Sequence, residues 1–331
     1  MSNSSHRTVL LTGANSGVGF EAAAQFAEAG WGTVILACRS EAKAEAARAL
    51  LVERTGKDPF EVLAVDTSEV ASANAAADVL AQRGTVVDLL VLNAGASGTE
   101  ARFNSDGVEI TWASTLVGHH VLTMRMLADG RLSDDAHILI AGSEGARGNL
   151  PGMKVHDIAE IAAEHFDGDR VAAIDALARI KGPASFSNMN EYVTAKLVVA
   201  WWASALARKL PSGMTVNAVS PGSAPASGFA RDAGMMMGMM IGMMKLFGPL
   251  MGMAGSLKTA ARRYLDVAAL DVGHSGQFYA TEHRKKLVGK IGAQVWPETF
   301  VDQQSQEAGF DAVVRLTGTP YPKRVEAAAA R

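Results

Sequence analysis

Short apolar runs recur along this 331-residue chain and alternate with Ala-rich segments of helical length. The runs are apolar throughout, which is typical of parallel strands that helices cover on both faces. The alternation therefore predicts an α/β fold, a doubly wound parallel sheet. The predicted strands are Thr8 to Leu11, Thr33 to Ala37, Phe60 to Val65, Leu89 to Leu92, His137 to Ala141 and Thr215 to Val219.

No repeat and no linker divides the sequence, so we expect a single domain over residues 1–331. Residues 150–188 interrupt the alternation and are interpreted as an insertion. Within it, surface helices are predicted at Asp157 to His165 and at Arg170 to Ile180.

The formal net charge is −3 and charged residues make up 20% of the chain. This balance gives no reason to expect nucleic acid or an anionic lipid surface as a partner, so the expected partner is small. The first residues lack the charged and apolar regions of a secretory signal, and a single cysteine, Cys38, excludes an intrachain disulfide. A cytoplasmic location is expected, with Cys38 buried at the end of its apolar stretch and no metal site.

A glycine-rich turn follows the first predicted strand and leads into a helix-like segment. Glycines in this position let the backbone approach a pyrophosphate closely, while the helix N-terminus offers unpaired N–H groups and a positive dipole end. Strand, turn and helix together predict a Rossmann-type dinucleotide site. Its candidate residues are Gly13, Asn15, Ser16, Gly17, Val18 and Gly19.

The second strand ends in Cys38-Arg39-Ser40, where an acidic residue would hold the ribose 2′-hydroxyl of NAD. An acid would repel a 2′-phosphate, whereas the guanidinium of Arg39 suits phosphate oxygens, and Lys43 lies one turn onward. We therefore expect NADP(H), with NAD(H) less favoured.

Further candidates follow the third and fourth strands, at the sheet edge where open α/β sheets bind their ligands. Asp66 can accept a hydrogen bond from an adenine amino group, and Thr67 beside it is a second candidate for cofactor binding. The turn Asn93-Ala94-Gly95 completes this set, although Asn93 is expected to brace neighbouring backbone.

Three residues in the second half of the chain suggest proton transfer. Ser143 follows the strand that ends at Ala141, and Tyr192 and Lys196 stand four apart in a helical stretch, so that both project from one face. A nearby ammonium favours the phenolate and brings a tyrosine towards the working range of a general base.

These motifs, together with Ser220-Pro221-Gly222, occur in the order and spacing of the short-chain dehydrogenase/reductase family, which the chain resembles from about Thr8 to Lys290. The opening sequence is most similar to the retinol-dehydrogenase-like and protochlorophyllide-reductase-like branch, in which an Ala-Cys-Arg step accompanies use of NADP(H).

The resemblance implies a role for each site residue. Tyr192 would donate or accept the proton, Lys196 would bind the nicotinamide ribose and lower the pKa of the tyrosine, and Ser143 would hydrogen-bond the developing oxyanion. Pro221 and Gly222 would shape the turn beside the nicotinamide. Homodimers or homotetramers are common in the family and are possible here.

The chain departs from the family pattern in two places. Thr115 stands where the family usually has an asparagine that holds a proton-relay water. The proton relay is therefore expected to be rearranged, slowed or supplied by His119 or His120. For His119 itself we expect a packing or helix-surface role. Tyr192 also follows Ser143 by 49 residues, which is longer than usual. The insertion 150–188 accounts for the extra length. It either lies at the edge of the substrate pocket or is a solvent-exposed segment without a role in the site.

Residues 226–256 contain most of the 15 methionines and occupy the position of the family's substrate loop. Flexible thioethers pack against irregular apolar shapes, so we expect a lid over a small lipophilic substrate. A membrane-surface or dimer contact is the main alternative, and a membrane span is disfavoured by the glycines, Lys245 and Pro249. Residues 296–331 are a C-terminal extension in which Pro297 to Leu316 can form an amphipathic helix.

The sequence as a whole predicts an NADP(H)-dependent oxidoreductase that interconverts a hydrophobic carbonyl compound and its alcohol. Two alternatives stay open: reduction of an activated C=C bond, and an NADP(H)-binding regulatory protein without turnover. Tyr192 is the residue on which these hypotheses differ most.

Overall fold

Each predicted apolar run forms a strand of one eight-stranded sheet in the computed structural model, which describes residues 6–150, 152–182, 185–223, 254–270, 272–323 and 325. The strand order is β3-β2-β1-β4-β5-β6-β7-β8, with β8 antiparallel to β7 and all other pairs parallel. The strands are β1 (Thr8–Thr12), β2 (Thr33–Cys38), β3 (Phe60–Ala64), β4 (Val87–Leu92), β5 (Leu132–Ala141), β6 (Thr215–Val219), β7 (Phe278–Thr281) and β8 (Ile291–Ala293).

Helices cover both faces of this sheet. Neighbouring residues of β1 enter different cores, since Leu10 packs on one face and Val9 and Leu11 pack on the other. This explains why the strand is apolar at every position and confirms the doubly wound fold. The helices are α1 (Gly17–Glu28), α2 (Glu41–Thr55), α3 (Val70–Arg83), α4 (Ile110–Trp112), α5 (Gly118–Ala128), α6 (Ile158–His165), α7 (Arg170–Ala178), α8 (Asn188–Ala207), α9 (Leu257–Ala268) and α10 (Gln303–Thr317).

The chain reverses its direction across the sheet at β1, which lies between β2 and β4. Leu11 pairs with Leu36 on one side and with Val91 on the other. The carboxyl ends of these strands therefore open a crevice at the switch point, where α/β sheets of this kind bind their ligands.

The last two strands, β7 and β8, were missed by the sequence prediction. All four residues of β7 are buried, but the strand is short, and β8 has only three residues. Runs of this length give no usable periodicity.

Both helices predicted in residues 150–188 are present, with slightly different bounds. Asp157 and Asp169 stand at their N-caps, and each carboxylate accepts backbone N–H groups of the first turn. Ile158 and Ile174 are buried, so one side of each helix packs into the protein.

The C-terminal helix α10 begins six residues later than predicted, because residues 298–300 form a separate 3₁₀ turn. Its buried face contains Phe310, Val313 and Leu316 and packs on α8 and α7. Among the helices that the structure describes, none is long and apolar enough to cross a membrane.

Candidate active site

The glycine-rich turn closes tightly on the start of α1. Gly13 has a φ of +68°, which favours glycine. A Cβ on Gly19 would lie 2.3 Å from the carbonyl oxygen of Gly13, so only glycine lets α1 approach the turn this closely. Ser16 is the N-cap of α1 but its side chain makes no capping bond, and the first turn holds no acidic residue. The positive end of α1 is therefore available to a pyrophosphate.

The two residues predicted to contact the adenosine half of a cofactor lie side by side. Arg39 Nε is 3.3 Å from Asp66 Oδ2, and 62% of the Arg39 side chain is exposed. Asp66 Oδ1 accepts hydrogen bonds from the backbone N–H and the hydroxyl of Ser68, at 2.9 and 2.6 Å. Ser68 thus holds Asp66 in place, while Arg39 and the exposed Lys43 extend towards solvent, where they can reach a phosphate.

Asn93 braces the backbone at the ends of β1 and β4. Its Nδ2 donates to the Thr12 carbonyl oxygen at 3.0 Å, and its Oδ1 accepts from the Tyr264 hydroxyl at 3.0 Å. The Ala94 N–H donates to Thr12 Oγ1 at 2.9 Å. Gly95 completes the turn and lies against the helix that carries Thr115.

Thr115 lies in a π-helical turn, residues Ala113–Val117, that joins α4 to α5. Its side chain is buried, and its Oγ1 would be 3.7 Å from a Cβ placed on Gly95. Thr67 holds the turn from outside, because its hydroxyl donates to the Ser114 carbonyl oxygen at 3.1 Å and its own carbonyl accepts the Gly118 N–H at 2.9 Å. Thr67 therefore supports the π-helical turn, a role that the sequence did not suggest.

His119 is buried between Thr115 and Thr12. Its Nδ1 lies 2.9 Å from the Thr115 carbonyl oxygen, which can only accept, so Nδ1 carries the hydrogen and Nε2 accepts from Thr12 Oγ1 at 2.9 Å. Burial lowers the pKa of His119 to about 3, so the ring is neutral near pH 7. We call Thr12, Asn93, Thr115 and His119 the neutral hub.

His120 faces the C-terminal segment. Its Nε2 lies 2.7 Å from the Thr319 carbonyl oxygen, and its Nδ1 accepts the indole N–H of Trp202 at 3.0 Å. Burial lowers its pKa to about 4. Both ring nitrogens of each histidine thus serve structural bonds.

Tyr192, Ser143 and Lys196 meet at the carboxyl end of β5. The Tyr192 hydroxyl shares a hydrogen bond with the Ser143 side chain, and Lys196 Nζ lies 5.8 Å from the centroid of the tyrosine ring. Lys196 donates to the Ala141 carbonyl oxygen at 2.6 Å, and Ser143 Oγ accepts the Gly145 N–H at 3.1 Å. The four-residue spacing on α8 therefore brings the ammonium beside the phenol, within reach of a strand end.

Burial dominates the electrostatics of these groups. It lowers the pKa of Lys196 to about 7 and raises the pKa of Tyr192, while the hydrogen bond with Ser143 works in the opposite direction on the tyrosine. The carboxylate of Glu144 raises the pKa of Tyr192 further. These surroundings therefore favour the protonated form of Tyr192.

Glu144 belongs to a buried ionic cluster that the sequence analysis missed. Its Oε1 lies 3.0 Å from Nη1 of Arg263 on α9, and each side chain is about 5% exposed or less. Ser220 donates to Glu144 Oε2, and Thr281 donates to Oε1 from both its N–H and its hydroxyl. We call Glu144, Ser220, Arg263 and Thr281 the charged cluster; 119 positions separate its two ions, so no local pattern signals it.

The charged cluster fixes the turn after β6. Arg263 donates to the Ser220 carbonyl oxygen at 2.9 Å, and Ser220 Oγ accepts the Gly222 N–H at 3.1 Å. Gly222 has a φ of +78°, and a Cβ there would lie 2.5 Å from the Leu287 carbonyl oxygen. Pro221 and Gly222 are thereby held beside the turn of Ser143.

Most of the Met-rich region predicted as a lid, residues 226–256, lies outside the described residues. Its flanks are described, and the Gly255 N–H donates to the Ser223 carbonyl oxygen at 2.7 Å. Ser223 and Gly255, which stand on either side of the residues that are not described, therefore lie next to each other.

These surroundings fit a nicotinamide dinucleotide. A glycine cradle that a Cβ would fill stands before an uncapped helix N-terminus, and the row of strand ends from β3 to β6 carries polar groups from Asp66 to Ser143. Among the residues that the structure describes, no cluster of metal-ligating side chains occurs.

Comparisons with known proteins agree with this geometry. The family model for short chain dehydrogenase matches residues 7–166. A WW domain-containing oxidoreductase from Danio rerio is 30% identical over 66% of this chain and 49% of its own length, so the chain spans about half of that relative. Human retinol dehydrogenase 13 is 27% identical over 66% of this chain and 59% of its own.

Solved structures share the fold. An uncharacterized protein from Mycobacterium paratuberculosis superposes with a TM-score of 0.68 at 24% identity, covering 96% of this chain and 95% of that one. An actinorhodin polyketide ketoreductase with NADPH gives a TM-score of 0.58 at 19% identity, covering 84% and 96%. A 3-ketoacyl-(acyl-carrier-protein) reductase from Brucella melitensis with NADH gives 0.55 at 22% identity, covering 82% and 95%. The chain belongs to the short-chain dehydrogenase/reductase family, a family of oxidoreductases, and lies near its retinol-dehydrogenase-like branch.

Proposed function

We propose that this protein is an NADP(H)-dependent oxidoreductase that interconverts a hydrophobic carbonyl compound and its alcohol, with Tyr192 as general acid and base. The observation that carries the proposal is the meeting of Tyr192, Ser143 and Lys196 at the end of β5, beside the crevice that the glycine-rich turn opens. When bound, the nicotinamide would supply or accept the hydride.

The three side chains divide the remaining chemistry between them. Ser143 and Tyr192 already share a hydrogen bond, and a carbonyl oxygen placed between them would accept hydrogen bonds from both. Tyr192 would pass its proton to that oxygen in reduction and take it back in oxidation. Lys196 would bind the nicotinamide ribose, and its ammonium, beside the ring, would favour the phenolate.

The proton must then be replaced, and Thr115 stands where a relay residue is expected. The Thr115 carbonyl oxygen accepts from His119, and its hydroxyl faces Gly95. We propose that the Thr115 hydroxyl takes part in the relay, with neutral His119 fixing its backbone. Thr115→Val removes the hydroxyl with little change of shape and should slow turnover, whereas equal turnover would remove Thr115 from the relay.

The preference for NADP(H) is supported by charge at the ends of β2 and β3. Arg39 and Lys43 are exposed there, and the carboxylate of Asp66 is bonded to Ser68 and Arg39. A 2′-phosphate can replace Asp66 as the partner of Arg39, because an exposed ion pair is weak.

A hydrophobic substrate is supported by two observations outside the described site. Gly255, near the end of the Met-rich region 226–256, is bonded to Ser223, which follows Gly222 in the chain, and thioethers suit irregular apolar ligands. By its name, the human relative retinol dehydrogenase 13 acts on an alcohol. We propose a lipophilic alcohol or carbonyl compound as the substrate class.

Tyr192→Phe tests the proposal directly. NADPH binding, followed by fluorescence, should survive, while reduction of a panel of lipophilic aldehydes and ketones should fall by about 100-fold or more. Tyr321→Phe is the matched control, because that hydroxyl donates to the Lys209 carbonyl oxygen away from the site. Turnover that persists in Tyr192→Phe would refute the assignment; NADPH binding without turnover by the wild type would favour a regulatory protein.

A further inference from the structure

The charged cluster stands where it can influence the reacting tyrosine. Glu144 directly follows Ser143 in the chain, and Ser143 is hydrogen-bonded to Tyr192. Its carboxylate is 3% exposed, so water screens its charge weakly. A buried charge this near a titrating hydroxyl changes the balance between phenol and phenolate.

The cluster also connects parts of the site that are distant in sequence. Glu144 lies on the turn after β5, Ser220 after β6, Thr281 at the end of β7, and Arg263 on α9. Arg263 binds a group from each of the other three, with distances of 3.0 Å to Glu144, 2.9 Å to the Ser220 carbonyl oxygen and 2.8 Å to the Thr281 hydroxyl. One guanidinium thus joins three strand ends.

The stability of the fold does not by itself explain a buried ion pair in this position. Buried ion pairs are often replaceable by apolar residues without loss of stability, because desolvation offsets their attraction. Its presence next to Ser143, and its bonds to the turn that carries Pro221 and Gly222, point to the active site.

We propose that Glu144 and Arg263 are positioning residues of the active site, which hold the Ser143 turn against the Pro221–Gly222 turn and set the electrostatic potential at the Tyr192 hydroxyl by the balance of their charges. The Glu144 carboxylate favours the protonated phenol, the form that donates a proton to a carbonyl oxygen. The Arg263 guanidinium offsets this effect, so the loss of either charge alone changes the readiness of Tyr192 to donate its proton, a consequence that rests on the proposed function.

Other titratable or charged groups lie near Tyr192 or the charged cluster and must stay unchanged in a test. Lys196 lies beside the Tyr192 ring from the same helix, and Tyr264 approaches from α9. Arg147 lies behind the cluster, where it donates to Gln294 and to the Thr281 carbonyl oxygen. None of these groups is altered in the variants below.

The experiment is a titration of Tyr192 itself, which needs neither substrate nor turnover. Tyrosine is labelled with ¹³C at Cζ, and the signal of Tyr192 among the four tyrosines is assigned with Tyr192→Phe. Its midpoint is measured in the wild type, Glu144→Gln, Arg263→Gln, Arg263→Lys and the double variant Glu144→Gln/Arg263→Gln, over the pH range in which circular dichroism shows a folded protein.

The expected midpoint falls by about one pH unit in Glu144→Gln and rises in Arg263→Gln, because each change leaves the opposite charge unbalanced. Arg263→Lys keeps the charge and the double variant removes both charges, so both should titrate near the wild type. A purely structural role predicts no opposite shifts. If Arg263→Gln does not fold, the titration midpoints of Glu144→Gln and Arg263→Lys still test the proposal.

A midpoint in Glu144→Gln that equals or exceeds the wild type would overturn the proposal. A shift of the Tyr192 midpoint in the same direction in all variants would also overturn it. Because the titration is independent of catalysis, a failure of the proposed oxidoreductase activity would appear separately, as wild-type turnover that does not depend on Tyr192.

Discussion

Two groups of side chains brace the active site from opposite sides, and they do so by different means. The neutral hub holds the ends of β1 and β4 with uncharged hydrogen bonds between Thr12, Asn93 and His119. The charged cluster holds the ends of β5, β6 and β7 with a buried ion pair. The hub thus braces the ends of β1 and β4 without charge, whereas the strand end that carries Ser143 is braced by two buried charges.

The largest expected effect comes from leaving one ion of the charged cluster alone. Arg263→Met should lower the free energy of unfolding by about 3–5 kcal/mol, because Glu144 then stays buried without its partner. Chemical denaturation measures this loss. The adjacent Arg262, which pairs with Asp266 on the surface, is the matched control, and Arg262→Met should cost far less.

The same cluster offers a sharper form of this test. The double variant Glu144→Gln/Arg263→Met removes both charges, so it should recover much of the stability lost in Arg263→Met. A loss in the double variant that equals the sum of the losses in Glu144→Gln and Arg263→Met would mean that the charges do not interact.

Breaking the neutral hub should cost less. Asn93→Ala removes the donor to the Thr12 carbonyl oxygen and the acceptor for the Tyr264 hydroxyl, which leaves two polar groups without these partners. We expect a loss of about 2 kcal/mol in unfolding free energy and weaker NADPH binding, measured by denaturation and by titration calorimetry. Asn74→Ala, in helix α3, is the control, because Asn74 is a part-buried asparagine away from the crevice. If Asn74→Ala lowered the unfolding free energy as much as Asn93→Ala does, the hub would have no special role in stability.

The neutral hub should also respond to acid. The pKa of His119 is lowered to about 3 in the fold, so its contribution to stability is complete above its unfolded pKa of about 6.5 and is lost as the pH falls towards 3. Between pH 6.5 and 5.5 this amounts to about 1 kcal/mol. His119→Gln should show a shallower decrease over this range than the wild type, and an unchanged slope would contradict the assignment.

The smallest effect on stability is expected at Arg39, outside both groups. Its ion pair with Asp66 is exposed, so Arg39→Ala should change the unfolding free energy by less than about 1 kcal/mol. The ratio of kcat/KM for NADPH over that for NADH should nevertheless fall by about 10-fold or more. Arg48→Ala, another surface arginine, should leave the ratio unchanged; equal use of both cofactors by the wild type would remove the proposed preference.

The fold and the positions of Tyr192 and Lys196 were open to prediction because their signals are local. The strands are continuously apolar since both faces are covered, and the spacing of Tyr192 and Lys196 on one helix places them together. The exceptions are instructive. The last two strands, β7 and β8, were missed because four and three residues carry no periodicity. The placement of Thr67 at the cofactor stays a prediction, and the bond of its hydroxyl to the π-helical turn was not predicted.

The sequence by itself determined the doubly wound sheet, the glycine-rich turn and the helix that carries Tyr192 and Lys196, because each depends on contacts within a few residues or on a repeating pattern. Only the tertiary structure decided which groups surround them. Glu144 and Arg263 come together from positions 119 residues apart, and His119 finds Thr12 across the sheet. Pairings of this range follow from the way in which strand ends converge at one edge, and nothing in either local sequence names the partner.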